Sequence, residues 1–293
     1  MSLSELTMVV LVVLVAAAFL RRPTLLFGIF GVSLLTASAV DLFTAVPVWG
    51  SLFIGLGCWL ALMGLAFAFL VLVCKMVDLD EEQENDSKFY RTVMYIYIEA
   101  LISLVGVRLH TKGLEKTPKE GRFLLVCNHL FLADPGVLLH CFRKSQVSFV
   151  TKKENQSMFV VGKIMHKILC QPIDRENDRA ALKSILKCIQ LIKEDKVSIG
   201  VFPEGYTSKD GKLHPFRNGV FKIAQKAGVP IVVCTIQNTR QIFKNLRKLK
   251  KTDVHMHLVD VIPAEALKGK STAEISEMVY EMMISDLGEG FRM

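Results

Sequence analysis

The feature that most constrains this 293-residue chain is its apolar N-terminal quarter. Residues 6–74 carry only three charged side chains: Arg21, Arg22 and Asp41. A helix needs about 20 apolar residues to cross the hydrocarbon layer of a membrane. Three segments approach that length: 3–20, 24–40 and 51–74. We therefore predict a transmembrane anchor over residues 1–77 with about three helices.

Two other interpretations of this anchor were weighed. A secretory signal peptide would start with basic residues and end at a cleavage site followed by soluble sequence. This chain instead has Glu5 near its start, a basic pair after the first apolar run, and further apolar sequence beyond it. Two spans remain the alternative to three, if the first or second segment is only interfacial.

The basic residues predict the orientation, because Lys and Arg resist translocation. Arg21, Arg22 and Lys75 all place the rest of the chain on the cytoplasmic side, as part of an integral protein of the cell membrane. The formal net charge of +8 divides into −4 for residues 1–88 and +12 for residues 89–293. We expect residues 78–88 to be a solvated acidic linker, and residues 89–293 to form the second domain.

This second domain has the pattern of an α/β protein. Five apolar runs have the length of strands: 123–127, 147–150, 197–202, 230–236 and 254–262. Helical patterns separate them, at 178–193 with Asp178 as the N-cap, at 218–227, and after a capping box formed by Ser271 and Glu274. Residues 89–107 read as a helix that lies at the membrane surface or covers the domain. Alternating strands and helices predict a central, mostly parallel sheet, whose chemistry lies in the loops after the strands.

The first candidate for chemistry follows a predicted strand, where Asn128 and His129 come shortly before Asp134. A carboxylate that folds back onto an imidazole can hold it as a general base. The alternative is that Asp134 caps the next helix, with Pro135 at a favoured first position, and that His129 is an ordinary loop residue. Taken alone, the spacing favours this simpler interpretation.

Two further candidates also follow strand-like runs. Glu204 and Gly205 stand in the segment 202–208, which could bind a ligand hydroxyl or be an ordinary turn. Arg175 could clamp a phosphate with its planar guanidinium. Its alternative is a salt bridge with Asp174 or Glu176, which the sequence alone favours.

The joint order of these blocks resembles the lysophospholipid acyltransferase (PlsC-type) family, the 1-acylglycerol-3-phosphate O-acyltransferase-like enzymes. That family has a His-x4-Asp box that opens with Asn, then a block ending in Arg, then Phe-Pro-Glu-Gly, then an apolar strand with Pro. This chain supplies them at 128–134, at Arg175, at 202–205 and at 229–232. The segment 215–219 is also similar, and the resemblance covers about residues 89–265.

The resemblance implies a membrane-bound O-acyltransferase with a glycerolipid-acyltransferase-like fold. The acyl group would move from acyl-CoA or acyl carrier protein to the free hydroxyl of a lysophospholipid, most of all lysophosphatidic acid. His129 and Asp134 would be catalytic, with attack by the hydroxyl on the thioester directly. Acceptor binding would involve four residues: Asn128, Arg175, Glu204 and Gly205. Arg175 would contact the phosphate, and neither a cofactor nor a metal is implied.

The chain also departs from the family pattern. Phe131 stands where a small hydroxyl residue is frequent, and Cys170 where the second block usually has Gly. Thr207 stands where the family often has an Arg that assists phosphate binding. This last difference keeps open another lysolipid as acceptor, in remodelling or aminolipid synthesis.

A lipase and a non-catalytic lipid-binding protein are the rival functions. A lipase would need a G-x-S-x-G elbow, which this sequence lacks, and a non-catalytic lipid-binding protein would not need the His129 and Asp134 pair.

The basic stretch 241–251 can attract anionic head groups or be a solvated helix. A nucleic-acid partner is not expected, because a membrane-tethered domain already explains the charge. His255 and His257 have no metal-ligand neighbours in the sequence, so no zinc site is expected.

Overall fold

A computed structural model describes residues 25–44, 47–174 and 177–293. These residues divide into two compact units. Among the described residues, the smaller unit contains those up to Asp78 together with Glu99–Leu104, and the larger contains Leu79–Ile98 and Val105–Met293. The helix over residues 88–104 contributes to both units, and the predicted domain boundaries at 77 and 89 stay predictions.

The smaller unit contains two apolar helices, α1 (Leu25–Phe43) and α2 (Val48–Lys75). Both are long and apolar enough to cross a membrane, with mean hydropathies of 1.9 and 2.5 over their most apolar windows. They approach each other at small residues, because a Cβ on Gly55 would lie only 2.7 Å from the Cβ of Ala37. Close approach at small side chains is typical of helices that pack inside membranes.

These two helices correspond to the predicted segments 24–40 and 51–74. The third predicted segment, 3–20, lies outside the described residues, as do Arg21 and Arg22. The number of spans and the orientation of the anchor therefore stay predictions.

The acidic segment before the second domain lies against the larger unit. The carboxylates of Glu81 and Glu82 are exposed but pair with Lys167 and Lys187, at 3.6 and 3.1 Å. Asp86 instead has only 6% of its side chain exposed. The expectation of a solvated linker is wrong for this residue, because a buried guanidinium lies opposite its carboxylate.

That guanidinium belongs to Arg91, on the helix α3 (Lys88–Leu104). Its Nε donates to the Asp86 carboxylate at 2.7 Å, and its Nη1 donates to the carbonyl oxygen of Val147 at 2.9 Å. Its Nη2 donates to the hydroxyl of Ser148. Residues 88–98 of this helix therefore cover the larger unit, which was one of the two alternatives for the predicted helix 89–107.

Seven strands of the larger unit form one sheet within the described residues. They are β1 (Val107–Lys112), β2 (Leu124–Cys127), β3 (Val147–Lys152), β4 (Gln171–Ile173), β5 (Ser198–Val201), β6 (Ile231–Gln237) and β7 (Thr252–Ile262). Their order across the sheet is β1-β7-β6-β2-β5-β3-β4. The last five strands in this order are parallel, while β7 runs antiparallel to β6 and carries β1 parallel to itself. The predicted mostly parallel sheet is confirmed.

All five predicted strands are present, and the sequence missed only the two edge strands. The central strands β2 and β5 are buried at every position, so each reads as a continuous apolar run, as parallel strands covered on both faces do. The edge strand β1 has three exposed residues at its end, and β4 is only three residues long. The sequences of β1 and β4 therefore lack the continuous apolar run by which the other strands were predicted.

The larger unit has six further helices among the described residues, five between strands and the last after β7: α4 (Asp134–Cys141), α5 (Val161–Lys167), α6 (Asp178–Lys193), α7 (Lys222–Ala227), α8 (Gln241–Leu246) and α9 (Thr272–Leu287). The apolar faces of α6, α7 and α9 pack on β2, β5 and β6 in one core. Each buried aliphatic side chain there contributes about 1.5–3 kcal/mol to folding. This core fixes the positions of the strand ends.

The helix termini follow their sequence signals, with one correction. The capping box of Ser271 and Glu274 at the start of α9 is confirmed. The predicted helix 178–193 is α6, but its N-cap is Asn177, whose side chain accepts from the backbone N–H of Ala180. The prediction of Asp178 as the cap is wrong by one residue, because the asparagine before it offers the same kind of acceptor.

The basic stretch 241–251 is helical only over α8. Beyond it, Leu249 has a left-handed backbone with a φ of 52° and is 94% exposed. Ile242 is buried, whereas Phe243 is half exposed and packs edge-on against Phe131 with ring centroids 5.1 Å apart. The basic stretch, for which a solvated helix was one of two interpretations, is therefore a short helix followed by a basic turn.

The buried ion pair of Arg91 gives a first test. Replacing Arg91 by Ala should lower the free energy of unfolding by about 3–5 kcal/mol, because the buried Asp86 carboxylate is left without its partner. Thermal or denaturant unfolding in detergent measures the change. Lys187→Ala removes an ion pair whose Glu82 partner is exposed, and should lower stability by less than about 1 kcal/mol. Equal effects of the two substitutions would contradict the importance of the buried pair.

Candidate functional site

Two loops meet at the carboxyl ends of the central strands. β2 and β5 are neighbouring parallel strands in which Val126 lies opposite Val201. The loop after β2 carries residues 128–134, and the loop after β5 carries residues 202–208. Because parallel neighbours end at the same edge of a sheet, segments about 75 positions apart in the sequence come into contact.

Asn128 joins the start of the first loop to the next strand on the other side. Its Nδ2 donates to the carbonyl oxygen of Ile236 at 3.0 Å, and its Oδ1 accepts from the Ile236 N–H at 2.8 Å. The side chain is almost completely buried. Asn128 was expected among the acceptor-binding residues, but both ends of its amide are engaged in holding β2 against β6.

His129 and Asp134 form a hydrogen-bonded pair. The imidazole Nδ1 lies 2.8 Å from Asp134 Oδ2, and the same oxygen accepts from the backbone N–H groups of Leu130 and Phe131. A carboxylate only accepts hydrogen bonds, so Nδ1 carries the proton and Nε2 is left as the acceptor nitrogen. The carboxylate thus folds back onto the loop, as the catalytic interpretation requires, and makes no cap to α4.

The burial of the pair is asymmetric. The Asp134 side chain is completely buried, whereas 17% of the His129 side chain is exposed. Nε2 has no hydrogen-bond partner among the described residues. A histidine held in this way presents one basic nitrogen to a reactant.

Two aromatic rings support the imidazole. The His129 ring stacks on Phe202 with centroids 4.2 Å apart, and Phe202 stacks on Phe149 at 5.4 Å. Phe149 has room because its neighbour on β5 is Gly200, where a Cβ would lie 2.5 Å from the phenyl ring. A glycine inside a buried strand was the one sequence signal for this close approach.

Glu204 binds the two loops to each other. Its Oε1 accepts from the His129 N–H at 2.8 Å and its Oε2 accepts from the His214 N–H at 3.1 Å. The residue is only 1% exposed. Burial raises the pKa of this carboxyl to about 7, although the two backbone donors act to lower it. The described contacts of Glu204 are therefore with the protein backbone.

Gly205 follows in a conformation that glycine adopts readily, with a φ of +80°. Its N–H donates to the carbonyl oxygen of Phe202 at 3.0 Å, which closes the turn after β5. Three residues on, the N–H of Ser208 donates to the carbonyl oxygen of His129 at 2.8 Å. The two loops are thus joined through Glu204 and again through Ser208.

Arg175, the predicted phosphate ligand, lies outside the described residues. The strand before it, β4, is the third strand from β2 in the sheet order. At about 4.8 Å per strand, its end is roughly 14 Å from the end of β2. The role of Arg175 stays a prediction.

The thiol nearest to the site does not offer a nucleophile. Cys127 ends β2 and is completely buried, and desolvation raises the pKa of its thiol well above the ordinary value. A thiol without solvent access or thiolate character is unreactive. Among residues 25–44, 47–174 and 177–293, no three His, Cys, Asp or Glu side chains converge on a possible metal position.

Residues 108–237 match the family model described as Acyltransferase. A 1-acyl-sn-glycerol-3-phosphate acyltransferase of Borreliella burgdorferi is 26% identical over 67% of this chain and 78% of its own length. A chloroplastic protein of the same description from Brassica napus is 31% identical over 52% of this chain. The chain spans 45% of that plant protein and less than two thirds of several other relatives.

The fold has a counterpart among solved structures. The crystal structure of the 1-acyl-sn-glycerophosphate acyltransferase PlsC from Thermotoga maritima superposes with a TM-score of 0.58. The superposition covers 75% of this chain and 86% of that protein, at 21% sequence identity. It confirms the predicted fold class.

The raised pKa of Glu204 gives a test of the loop contact. Between its ordinary value of 4.5 and about 7, the folded protein keeps a proton that the unfolded chain releases. The free energy of unfolding should therefore fall as the pH rises through this range. Glu204→Gln should remove this dependence and also weaken the loop contact, because its amide nitrogen cannot accept from one of the two N–H groups. Melting temperatures in detergent across the same pH range measure both effects.

The control for this test is Glu265→Gln, at an exposed carboxyl group in the turn after β7. It removes the same formal charge without touching the loops. It should keep the slope of the native protein. An unchanged slope in Glu204→Gln would show that the carboxyl does not titrate as described.

Proposed function

We propose that the protein transfers a fatty acyl group to lysophosphatidic acid, because residues 108–237 match the Acyltransferase family model. The product would be phosphatidic acid, and the donor would be a thioester of coenzyme A or of acyl carrier protein. One observation carries this proposal: the His129 and Asp134 pair, with a free Nε2, at the carboxyl edge of the sheet. The names of the relatives support the choice of substrate.

In the proposed reaction His129 is the general base. Its Nε2 takes the proton of the acceptor hydroxyl while the oxygen attacks the thioester carbonyl carbon. The carbon–sulfur bond then breaks, and the imidazolium returns the proton to the leaving thiolate. Asp134 keeps Nδ1 protonated and stabilises the charge that forms on the ring. The reaction needs no acyl-enzyme and no cofactor beyond the thioester.

The other predicted residues receive positioning roles in this proposal. Glu204 holds the backbone of His129, and Gly205 allows the turn that brings Glu204 there. Asn128 holds the end of β2, and with it the start of the catalytic loop. None of these three side chains has a free polar group in its described contacts that would favour direct binding of the acceptor.

The membrane supplies the acceptor in this proposal. The two apolar helices α1 and α2 support an integral anchor, and the basic charge of the second domain supports a location on the cytoplasmic face. Several cations of α8 and of the turn after it are exposed: Lys244, Arg247, Lys248, Lys250 and Lys251. They would attract anionic lipid head groups.

The central test is His129→Ala. The substitution should lower the acyl-transfer rate about 10²–10⁴-fold, the usual contribution of a general base. Membranes that contain the protein are given acyl-CoA and lysophosphatidic acid, and phosphatidic acid is measured by mass spectrometry. His110→Ala is the control, because that histidine is exposed on the edge strand β1 and should leave the rate unchanged. A His129→Ala variant with near-native activity would disprove the mechanism.

A panel of lysolipids tests the choice of acceptor. We expect the highest turnover with lysophosphatidic acid and lower turnover with lysolipids whose phosphate is a diester. Thr207, in place of the family's usual Arg, favours the second candidate function, acylation of a different lysolipid. Higher turnover with a phosphodiester acceptor would establish that alternative. No product with any phosphate-bearing acceptor would contradict the proposed substrate class.

A further inference from the structure

An unpaired arginine lies against the glycine of the second loop. A Cβ built on Gly205 would be 2.7 Å from Nε of Arg217 and 2.9 Å from its Cδ. The side chain of Arg217 therefore occupies the space that any other residue at 205 would need. Its backbone is fixed as well, because its N–H donates to the carbonyl oxygen of Pro203 at 2.8 Å.

The guanidinium of Arg217 has no hydrogen bond or ion pair within residues 25–44, 47–174 and 177–293, and the residue is exposed. Two other arginines of the larger unit differ in this respect. Arg240 donates to the carbonyl oxygen of Lys209, and Arg91 is paired with Asp86. Arg217 thus keeps its planar set of donors available for a ligand.

Arg217 lies against the turn that positions the catalytic pair. Gly205 directly follows Glu204, whose carboxylate holds the backbone of His129. The arginine is therefore anchored to the same turn that positions the general base. Thr207, two residues beyond Gly205, leaves this turn without the arginine that related enzymes often carry there.

We propose that Arg217 binds the terminal phosphate of the acceptor and sets the preference for a phosphomonoester. This inference rests on the proposed function and names the residue that recognises the head group. A guanidinium fork matches two oxygens of a phosphate, and a monoester offers three terminal oxygens and nearly two negative charges. Gly205 serves this arrangement because it leaves room for the arginine side chain to lie across the turn.

The test compares the kinetics of Arg217→Gln and Arg217→Lys with those of the native protein. Loss of a charge-assisted bidentate contact should raise KM for lysophosphatidic acid about 10- to 100-fold in Arg217→Gln. The value of kcat should change less than about threefold, because the catalytic pair is untouched. Arg217→Lys should fall between, since an ammonium keeps the charge but not the fork.

Two further measurements keep the proposal open to refutation. Inorganic phosphate should inhibit the native protein in competition with the acceptor, and this inhibition should weaken in Arg217→Gln. Gly205→Ala should raise KM although Arg217 is still present, because the new methyl group displaces its side chain. The matched control is Lys119→Gln, which loses one positive charge on the loop before β2, at the opposite edge of the sheet. It should behave like the native protein.

The outcomes separate this inference from the proposed function. If the native protein converts lysophosphatidic acid and Arg217→Gln keeps the native KM and phosphate inhibition, Arg217 is not the phosphate ligand and the function stands. A fall in kcat with unchanged KM would equally contradict the binding role. If the native protein fails to convert lysophosphatidic acid, the proposed function is wrong, and equal affinities of the native protein and Arg217→Gln for inorganic phosphate in a direct binding measurement would then reject this inference as well.

Discussion

The candidate site depends on a single carboxylate oxygen. Oδ2 of Asp134 receives three donors, the imidazole Nδ1 and the N–H groups of Leu130 and Phe131. It therefore determines the path of the loop after β2 and the orientation of the imidazole together. Since the side chain is completely buried, water does not compete for these hydrogen bonds, and their strength in a low-dielectric interior is correspondingly greater. The local backbone and the reactive ring are one structural unit.

The order of the strands holds the loop after β2, and the imidazole of His129 with it, in position. Because β2 lies between β5 and β6, its terminal loop is held from both sides. Glu204 reaches it from the loop after β5, and Asn128 binds it to β6. Asn128 and Glu204, which the sequence suggests as ligands of the acceptor, thus hold the loops in place. This purpose requires a side chain with two polar atoms at each of these buried positions.

The sequence predicted the fold and the catalytic pair better than it predicted the roles of the surrounding residues. Buried parallel strands reveal themselves as apolar runs, so β2 and β5 were found, whereas the exposed edge strand β1 was not. The His129 and Asp134 pair depended on the family resemblance, because its spacing alone also fits a helix cap. The contacts of Arg217 could not be predicted, since they arise from turns that meet only in the folded sheet, whereas the close approach of Phe149 had a sequence signal in Gly200, a glycine inside a buried strand.

The hydrogen bond between His129 and Asp134 has a consequence for the movement of protons. Because Nδ1 is bound to Asp134, Nε2 is the ring nitrogen through which the imidazole exchanges a proton with a reactant. In the proposed reaction, Nε2 of His129 takes the proton from the acceptor hydroxyl. It then returns the same proton to the sulfur of the leaving thiolate. A complete cycle then draws nothing from bulk water and leaves the local pH of a crowded membrane surface unchanged.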